Sequence, residues 1–158
     1  MDQPKQFVVF GLDEQRYALH LSAVETTLRA VEITVLPKAP EIVLGVINMQ
    51  GRIVPVVNVR QRFRLPEREI ALSDRFIIAH TARRVVALVA DSVNGVVERA
   101  EHEVIAAEDI LPEVEYVEGV IKLQDGMVLI HDLDAFLSLD EEKTLDEAME
   151  ARPKIQDE

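Results

Sequence analysis

His131, Asp132 and Asp134 place an imidazole and two carboxylates within four residues. That set suits general acid–base work or Mg²⁺ binding, and it defines one reading of the chain, a small hydrolase or metal enzyme. Each residue also has a plainer role. His131 falls in a predicted strand, where a packed imidazole is the common case, and Asp132 stands where it would cap a helix beginning at Asp134. His20, His80 and His102 are scattered, with no second ligand at a recognised metal spacing. The sequence has no nucleophile-elbow turn, no phosphate loop and no Gly-x-Gly-x-x-Gly. It has no cysteine, which excludes disulfide and thiolate chemistry and is compatible with a reducing cytosol. The residues therefore point to no catalytic set, no cofactor and no metal site.

A different kind of chemistry, protein contact, is suggested around residues 45–60, GVINMQGRIVPVVNVR. Asn48, Gln50 and Arg52 crowd a turn at Gln50-Gly51, between two short runs too apolar and β-branched for an exposed loop. Gly51 supplies the permissive backbone that a tight turn needs. The pattern returns at residues 119–133, GVIKLQDGMVLIHDL, so that Gly119 stands 74 positions after Gly45 and Gln124 after Gln50. Gly45 and Gly119 read either as strand entries where a side chain would clash or as floors for a partner's close approach. A hairpin used twice implies a half-domain used twice.

Bulk composition narrows the partners. The chain has 158 residues, 48% of them hydrophobic, which fits one compact domain or two intimate halves. The net charge of −12 argues against nucleic acid or an anionic membrane as partner. No apolar run approaches the roughly 20 residues of a membrane span, and the first residues lack a signal-peptide pattern. Charge is unevenly spread. Eight arginines (52, 60, 62, 64, 68, 75, 83, 84) face only Glu67, Glu69 and Asp74 between Arg52 and Arg84, and eight acids crowd residues 138–158. The basic stretch reads as a solvated edge or as a docking edge for an acidic partner, and 140–158 as an acidic tail.

The elements that must position these residues follow in order. Gln6–Leu12 and Arg16–His20 form a first hairpin. Ser22-Ala-Val-Glu25 has the capping-box form, predicting a helix from about Ala23 to Leu28, with Val24 and Leu28 on it. Ala30–Leu36 alternates as a third strand, and the 45–60 hairpin adds two more. Arg60, Arg62 and Arg64 would share a face if that strand ran on. After a polar crossover, residues 61–74, the pattern restarts at Arg75–Ala79, with Phe76 69 positions after Phe7. Val93–Glu98 follows. An acidic connection, 99–116, carries Ile105, Ile110, Leu111 and Pro112 and is expected to pack. The second hairpin and a terminal helix from Asp134 close the half. Thr144-Leu-Asp-Glu147 suggests a further short helix, and 152–158 a frayed end. The expected fold is mainly β: two five-stranded barrels on a shared apolar seam, from half-repeats of roughly 7–65 and 75–139. An apolar groove between barrels is also where a partner helix would lie.

These motifs resemble the CheW-like adaptors of bacterial chemotaxis. GVINMQGRIVPVVNVR is similar to that family's signature hairpin, FVVFGLDEQRYALHLSAVE to its opening, and ALVADSVNGVVE and YVEGVIKLQDGMVLIHDLDAFL to its second-half motifs. The likeness runs from about Phe7 to Leu139. It implies two SH3-like β-barrels with a shared core, no catalysis, and a cytoplasmic scaffold coupling methyl-accepting chemoreceptors to the histidine kinase CheA. Carried onto this chain, the contacts with the kinase regulatory domain fall at Asn48, Gln50, Gly51 and Arg52 on one barrel and at Gly119, Gln124 and Gly126 on the other. The groove for the receptor's hairpin tip falls at Val24, Leu28 and Gly45. Gln50 stands where the family usually has Arg, and Met49 and Val59 where it has Leu. Losing that Arg removes a planar multi-donor group suited to a carboxylate. The alternative is a divergent CheW-like protein that assembles with itself or serves a non-flagellar pathway.

Overall fold

The structure, a computed structural model, describes residues 4–106, 109 and 116–151. The expected element content holds through most of the chain. β1 (Lys5–Leu12) and β2 (Gln15–His20) form the first hairpin, and β4 (Val43–Met49) and β5 (Arg52–Val57) form the signature hairpin. β6 (Arg75–His80), β7 (Val85–Ala90) and β8 (Ser92–Arg99) follow the crossover. β10 (Val117–Leu123) and β11 (Gly126–His131) make the repeated hairpin.

Residues 22–36 depart from expectation. The Ser22 capping box does not form; one 3₁₀ turn, Leu21–Ala23, leads directly into strand β3 (Val24–Arg29). β-Branched Val24, Thr26 and Thr27 favour a strand, which β6 provides with Thr27 opposite Ile77 and Leu28 opposite Phe76. Ala30–Leu36 is not a full strand; it makes a single bridge, Thr34 to Val46. The signature hairpin ends at Val57, because Asn58 caps a one-turn helix, α1 (Val59–Arg62), by accepting from the Gln61 N–H at 3.3 Å. Arg60, Arg62 and Arg64 therefore share no strand face. Asp132, 74 positions after Asn58, caps a 3₁₀ turn, Leu133–Ala135, rather than a long helix. The terminal helix α2 runs Leu139–Ala151 and contains Thr144 to Glu147 in its interior. Its start is a true capping box: Ser138 Oγ accepts from the Glu141 N–H at 3.1 Å, and Glu141 Oε1 accepts from the Ser138 N–H at 2.8 Å. Ile105 packs in the three-residue strand β9 (Val104–Ala106), whereas Ile110, Leu111, Pro112 and 152–158 lie outside the described residues.

The strands form two sheets, ordered β8-β1-β2-β11-β10-β9 and β3-β6-β7-β5-β4. The first has six strands rather than five, the sixth being β9. Both are assembled by exchange. β2 runs parallel to β11, with Tyr17 opposite Leu129, and β7 runs parallel to β5, with Leu88 opposite Val57. β1 pairs with β8, and β6 with β3. Every one of these pairs joins an element from before the crossover to one from after it.

Side-chain alternation sorts the core into three. Phe7 and Val9 of β1 fill one barrel with Ile121, Val128 and Ile130. Phe76 and Ile78 of β6 fill the other with Ile47, Val54 and Val56. Phe10, Leu12, Ile77 and Ala79 turn to the central seam, where they meet Tyr17, Val59, Leu88, Phe136 and Leu145. Strands buried on both faces read as continuous apolar runs, which is why Phe7–Phe10 and Phe76–Ala79 carry no polar residue.

Gly45 shows how closely the pieces meet. A Cβ there would lie 2.3 Å from the Thr34 carbonyl oxygen and 2.6 Å from Ile33 Cγ2, at a φ of +151°. Gly51 has a φ of +88° but open space around it. Gly45→Ala is therefore expected to cost about 2–4 kcal/mol, and Gly51→Ala only about 1–2 kcal/mol, in urea unfolding. Equal losses at the two sites would contradict the close approach of Thr34.

Candidate protein-interaction surfaces

The three residues that suggested hydrolytic chemistry have separate jobs. His131 is fully buried between the rings of Phe63, at 5.1 Å, and Phe136, at 4.9 Å. Burial, and then the Arg62 charge, lowers its pKa to about 3, so the imidazole is neutral. Asp132 Oδ1 accepts from the Ala135 N–H at 3.4 Å, and Asp134 Oδ1 from the Ala82 N–H at 2.8 Å. Both carboxylates thus hold backbone. Among the described residues no group of three His, Asp or Glu side chains is placed to hold a metal ion. His20 meets Glu118 Oε1 at 2.5 Å and lies against Phe7.

The contact candidates gather at two hairpin tips on different barrels. At the β4–β5 tip, Gln50 and Gly51 have φ values of 55° and 88°, so both central residues of the two-residue turn are left-handed. Asn48 Oδ1 accepts from the Gly51 N–H at 2.7 Å and fixes the turn. Arg52 Nη2 donates to Glu25 Oε2 of β3 at 2.7 Å. That hydrogen bond holds the Glu25 carboxyl below its ordinary pKa. Met49, beside it, packs on the barrel core with Leu28. The tip and β3 thus form one continuous surface with Asn48, Gln50, Gly51 and Arg52 on it.

At the β10–β11 tip, Arg16 Nη2 of the first hairpin reaches Asp125 Oδ1 at 3.0 Å, and Gln15 Nε2 donates to the Met127 carbonyl at 3.2 Å. Gln124 and Gly126 are exposed there. Gly119 is not part of this tip. It lies at the opposite end of the hairpin, across from Ile130, and a Cβ would come within 3.0 Å of the Ile105 carbonyl oxygen. Val24 and Leu28 lie half-buried on β3, not on a helix, and Gly45 is roofed by Ile33 and Thr34.

The charge pattern resolves into ion pairs rather than a free basic edge. Among the described residues, five of the eight arginines, at 52, 60, 62, 68 and 84, meet carboxylates. Arg60, almost buried, donates to Asp13 at 2.7 Å and to both oxygens of Asp91 at 2.9 and 2.8 Å. Arg68 holds Asp74 with two nitrogens, at 2.9 and 2.7 Å, and Asp91 at 2.5 Å. Asp91 also accepts from the Asp13 N–H at 2.6 Å. Burial works to raise the Asp91 pKa, but Arg60, the Asp13 N–H and Arg68 outweigh it, and the net shift is downward. The acidic tail contributes too. Glu141 of α2 meets Arg62 at 2.5 Å, and Glu142 and Asp146 meet Arg84. The sequence shows the basic and acidic blocks but not that Arg62 and Arg84 meet the tail while Arg52, Arg60 and Arg68 take carboxylates from elsewhere.

With the geometry in hand, comparison with known proteins is specific. The family model described as "CheW-like domain" matches residues 6–141. The chemotaxis protein CheW of Thermotoga maritima is 29% identical over 138 residues, covering 86% of this chain and 91% of that protein. CheW of Bacillus subtilis is 28% identical over 84% of this chain and 86% of its own length. A solved structure, the scaffolding protein TtCheW from Thermoanaerobacter tengcongensis, superposes with a TM-score of 0.80 at 30% identity, covering 88% of this chain and 96% of that one. It shares the double SH3-like barrel. None of these names is that of an enzyme.

Two acid sensitivities follow. Asp91 has a lowered folded pKa, so its stabilisation is present above its unfolded value of about 4 and is lost as pH falls through the folded one. His131 is neutral when folded and takes up a proton near 6.5 when unfolded, so stability also falls from about pH 6.5 towards 3. Asp91→Asn removes one of the two carboxylates that Arg60 holds, together with the anion on Arg68, and is expected to cost about 2–3 kcal/mol near pH 7. His131→Phe is expected to flatten the urea midpoint between about pH 6.5 and 4. An unchanged pH profile in His131→Phe would show that the imidazole is solvated.

Proposed function

The chain belongs to the CheW-like domain family, and we propose from that premise that it is a non-catalytic adaptor coupling methyl-accepting chemoreceptors to the histidine kinase CheA in chemosensory arrays. The observation that carries this reading is the pair of hairpin tips, one per barrel, each stiffened by internal hydrogen bonds and facing solvent. A scaffold that links partners into an array needs two such surfaces in fixed relation. The kinase regulatory domain contacts the first barrel at Asn48, Gln50, Gly51 and Arg52, and a second kinase contacts the other barrel at Gln124 and Gly126. Gly119 serves as a backbone support at the base of its hairpin. The receptor's hairpin tip lies along β3 at Val24 and Leu28, with Gly45 on β4 at the other end of the same sheet. No helix among the described residues is long and apolar enough to cross a membrane. The protein acts in the cytoplasm and reaches arrays through these partners.

Arg52 and Glu25 are both partly exposed, so their pair adds little stability and is available for rearrangement. Gln50 offers an uncharged amide where the family usually has Arg, so recognition at the turn relies on hydrogen bonds and shape. Calorimetry with the regulatory domain of the host's own CheA should show micromolar binding. Gln50→Ala and Arg52→Ala should each weaken it about 5- to 10-fold, with the fold intact by circular dichroism. Absence of binding to any host CheA, alongside self-association, would favour the self-assembling reading instead.

A further inference from the structure

We propose that α2 is a detachable strap over a basic and apolar seat, and that the seat fits an acidic amphipathic helix of a partner protein. The adaptor reading does not require this, and the two can fail separately.

The seat lies along the central seam. Arg62, from α1, and Arg84, from the connection between β6 and β7, flank a strip of the shared core. Arg62 stacks over the rings of Tyr116, at 5.0 Å, and Phe136, at 5.4 Å, which fixes its guanidinium in place. The face that α2 turns to this strip repeats at helical spacing: Glu141, Glu142, Leu145, Asp146, Ala148. Glu141 Oε1 meets Arg62 at 2.5 Å, Glu142 Oε2 meets Arg84 at 3.0 Å, and Asp146 also meets Arg84. Leu145 and Ala148 fill the apolar strip.

The apolar grip is a short stripe: Leu145 and Ala148 enter the central core, Met149 packs against it half-buried, and Leu139 remains 74% exposed. A free helix of this length is marginal in water, so it melts when it leaves. Its docking combines this stripe with the ion pairs, of which Arg84–Glu142 is the most buried. Glu142 is almost wholly buried, so without Arg84 it must leave the interior. Leaving is simpler for a helix packed through one face than for a strand paired on both sides. The exposed remainder would be two arginines beside an apolar strip, which complements carboxylates flanking a leucine. The chain's own α2 is thus an internal stand-in for such a partner.

Two measurements on the full chain test this. Hydrogen exchange read by mass spectrometry should show amides of 139–151 exchanging at least about tenfold faster than those of β6 and β7, the gap widening at about 1 M salt. The variant Glu142→Lys with Asp146→Lys should release α2 by repulsion from Arg84 and leave the seat intact. A labelled peptide of residues 138–151 with the native sequence should then bind that variant at least about tenfold more tightly than the unmodified chain by fluorescence anisotropy. Exchange of α2 in step with β6 and β7 at both salt concentrations would overturn the strap. Equal peptide binding to the two proteins, or none, would overturn the seat. If the double variant loses its β-sheet signal, the exchange experiment on the unmodified chain decides the strap.

Discussion

β1 and β6 are apolar on both faces, and neither can lie at a surface. Phe7 and Val9 need one core while Phe10 and Leu12 need another; Phe76 and Ile78 make the same demand against Ile77 and Ala79. A single barrel covers only the inward face of its strands. The second face must be covered by another barrel, which places these strands at the seam between two. Once that is fixed, the strand order follows. β1 takes β8 and β6 takes β3, and the parallel contacts β2–β11 and β7–β5 close each sheet across the seam. Neither sequence half keeps its own hairpins together in one sheet. The cost is kinetic: Tyr17 and Leu129 must meet over more than a hundred residues, and such non-local pairing slows folding.

The ion lattice around Arg60 belongs to the same geometry. Asp13 sits in the turn between β1 and β2, Asp91 between β7 and β8, and Arg68 and Asp74 in the crossover. Arg60 on α1 therefore ties one sheet to the other at the place where the chain passes between them. Net attraction in such a lattice is modest because the charges are partly desolvated, but its geometry is demanding. It defines the relation between barrels more than it adds to their stability. In a chain of net charge −12, the arginines between residues 52 and 84 are placed where carboxylates would otherwise repel.

Local pattern was legible where local physics decides the outcome. The two hairpins, the left-handed turn at Gln50-Gly51, the clash reserved at Gly45 and the cap at Asp132 are all short-range consequences of residue type. The pairing of strands was not legible, since periodicity shows which face is apolar but not which strand will cover it. Ser22-Ala-Val-Glu25 and Ser138-Leu-Asp-Glu141 make the limit concrete. Both have the capping-box form, yet only the second caps a helix. The first is followed by Thr26, Thr27 and a waiting edge of β6, and its Glu25 turns to Arg52 instead. Arg60 and Asp91 were equally hidden, because an arginine run reads as solvated until a fold delivers carboxylates to it.

Exchange also bears on how an adaptor of this kind transmits position. If each half folded on its own hairpins, the two barrels would be joined by a linker, and the tips at Gln50 and Gln124 would move independently. Here a displacement of one hairpin must deform β5 and β7, then the seam they share with β2 and β11, because packed interiors resist small shifts. The hydrogen bonds from Asn48 to Gly51 and the pair between Arg16 and Asp125 carry that stiffness out to the tips. The orientation of one tip relative to the other is therefore set by the core. The helix α2 stands outside this framework, since it pairs with no strand and meets the seam through side chains alone.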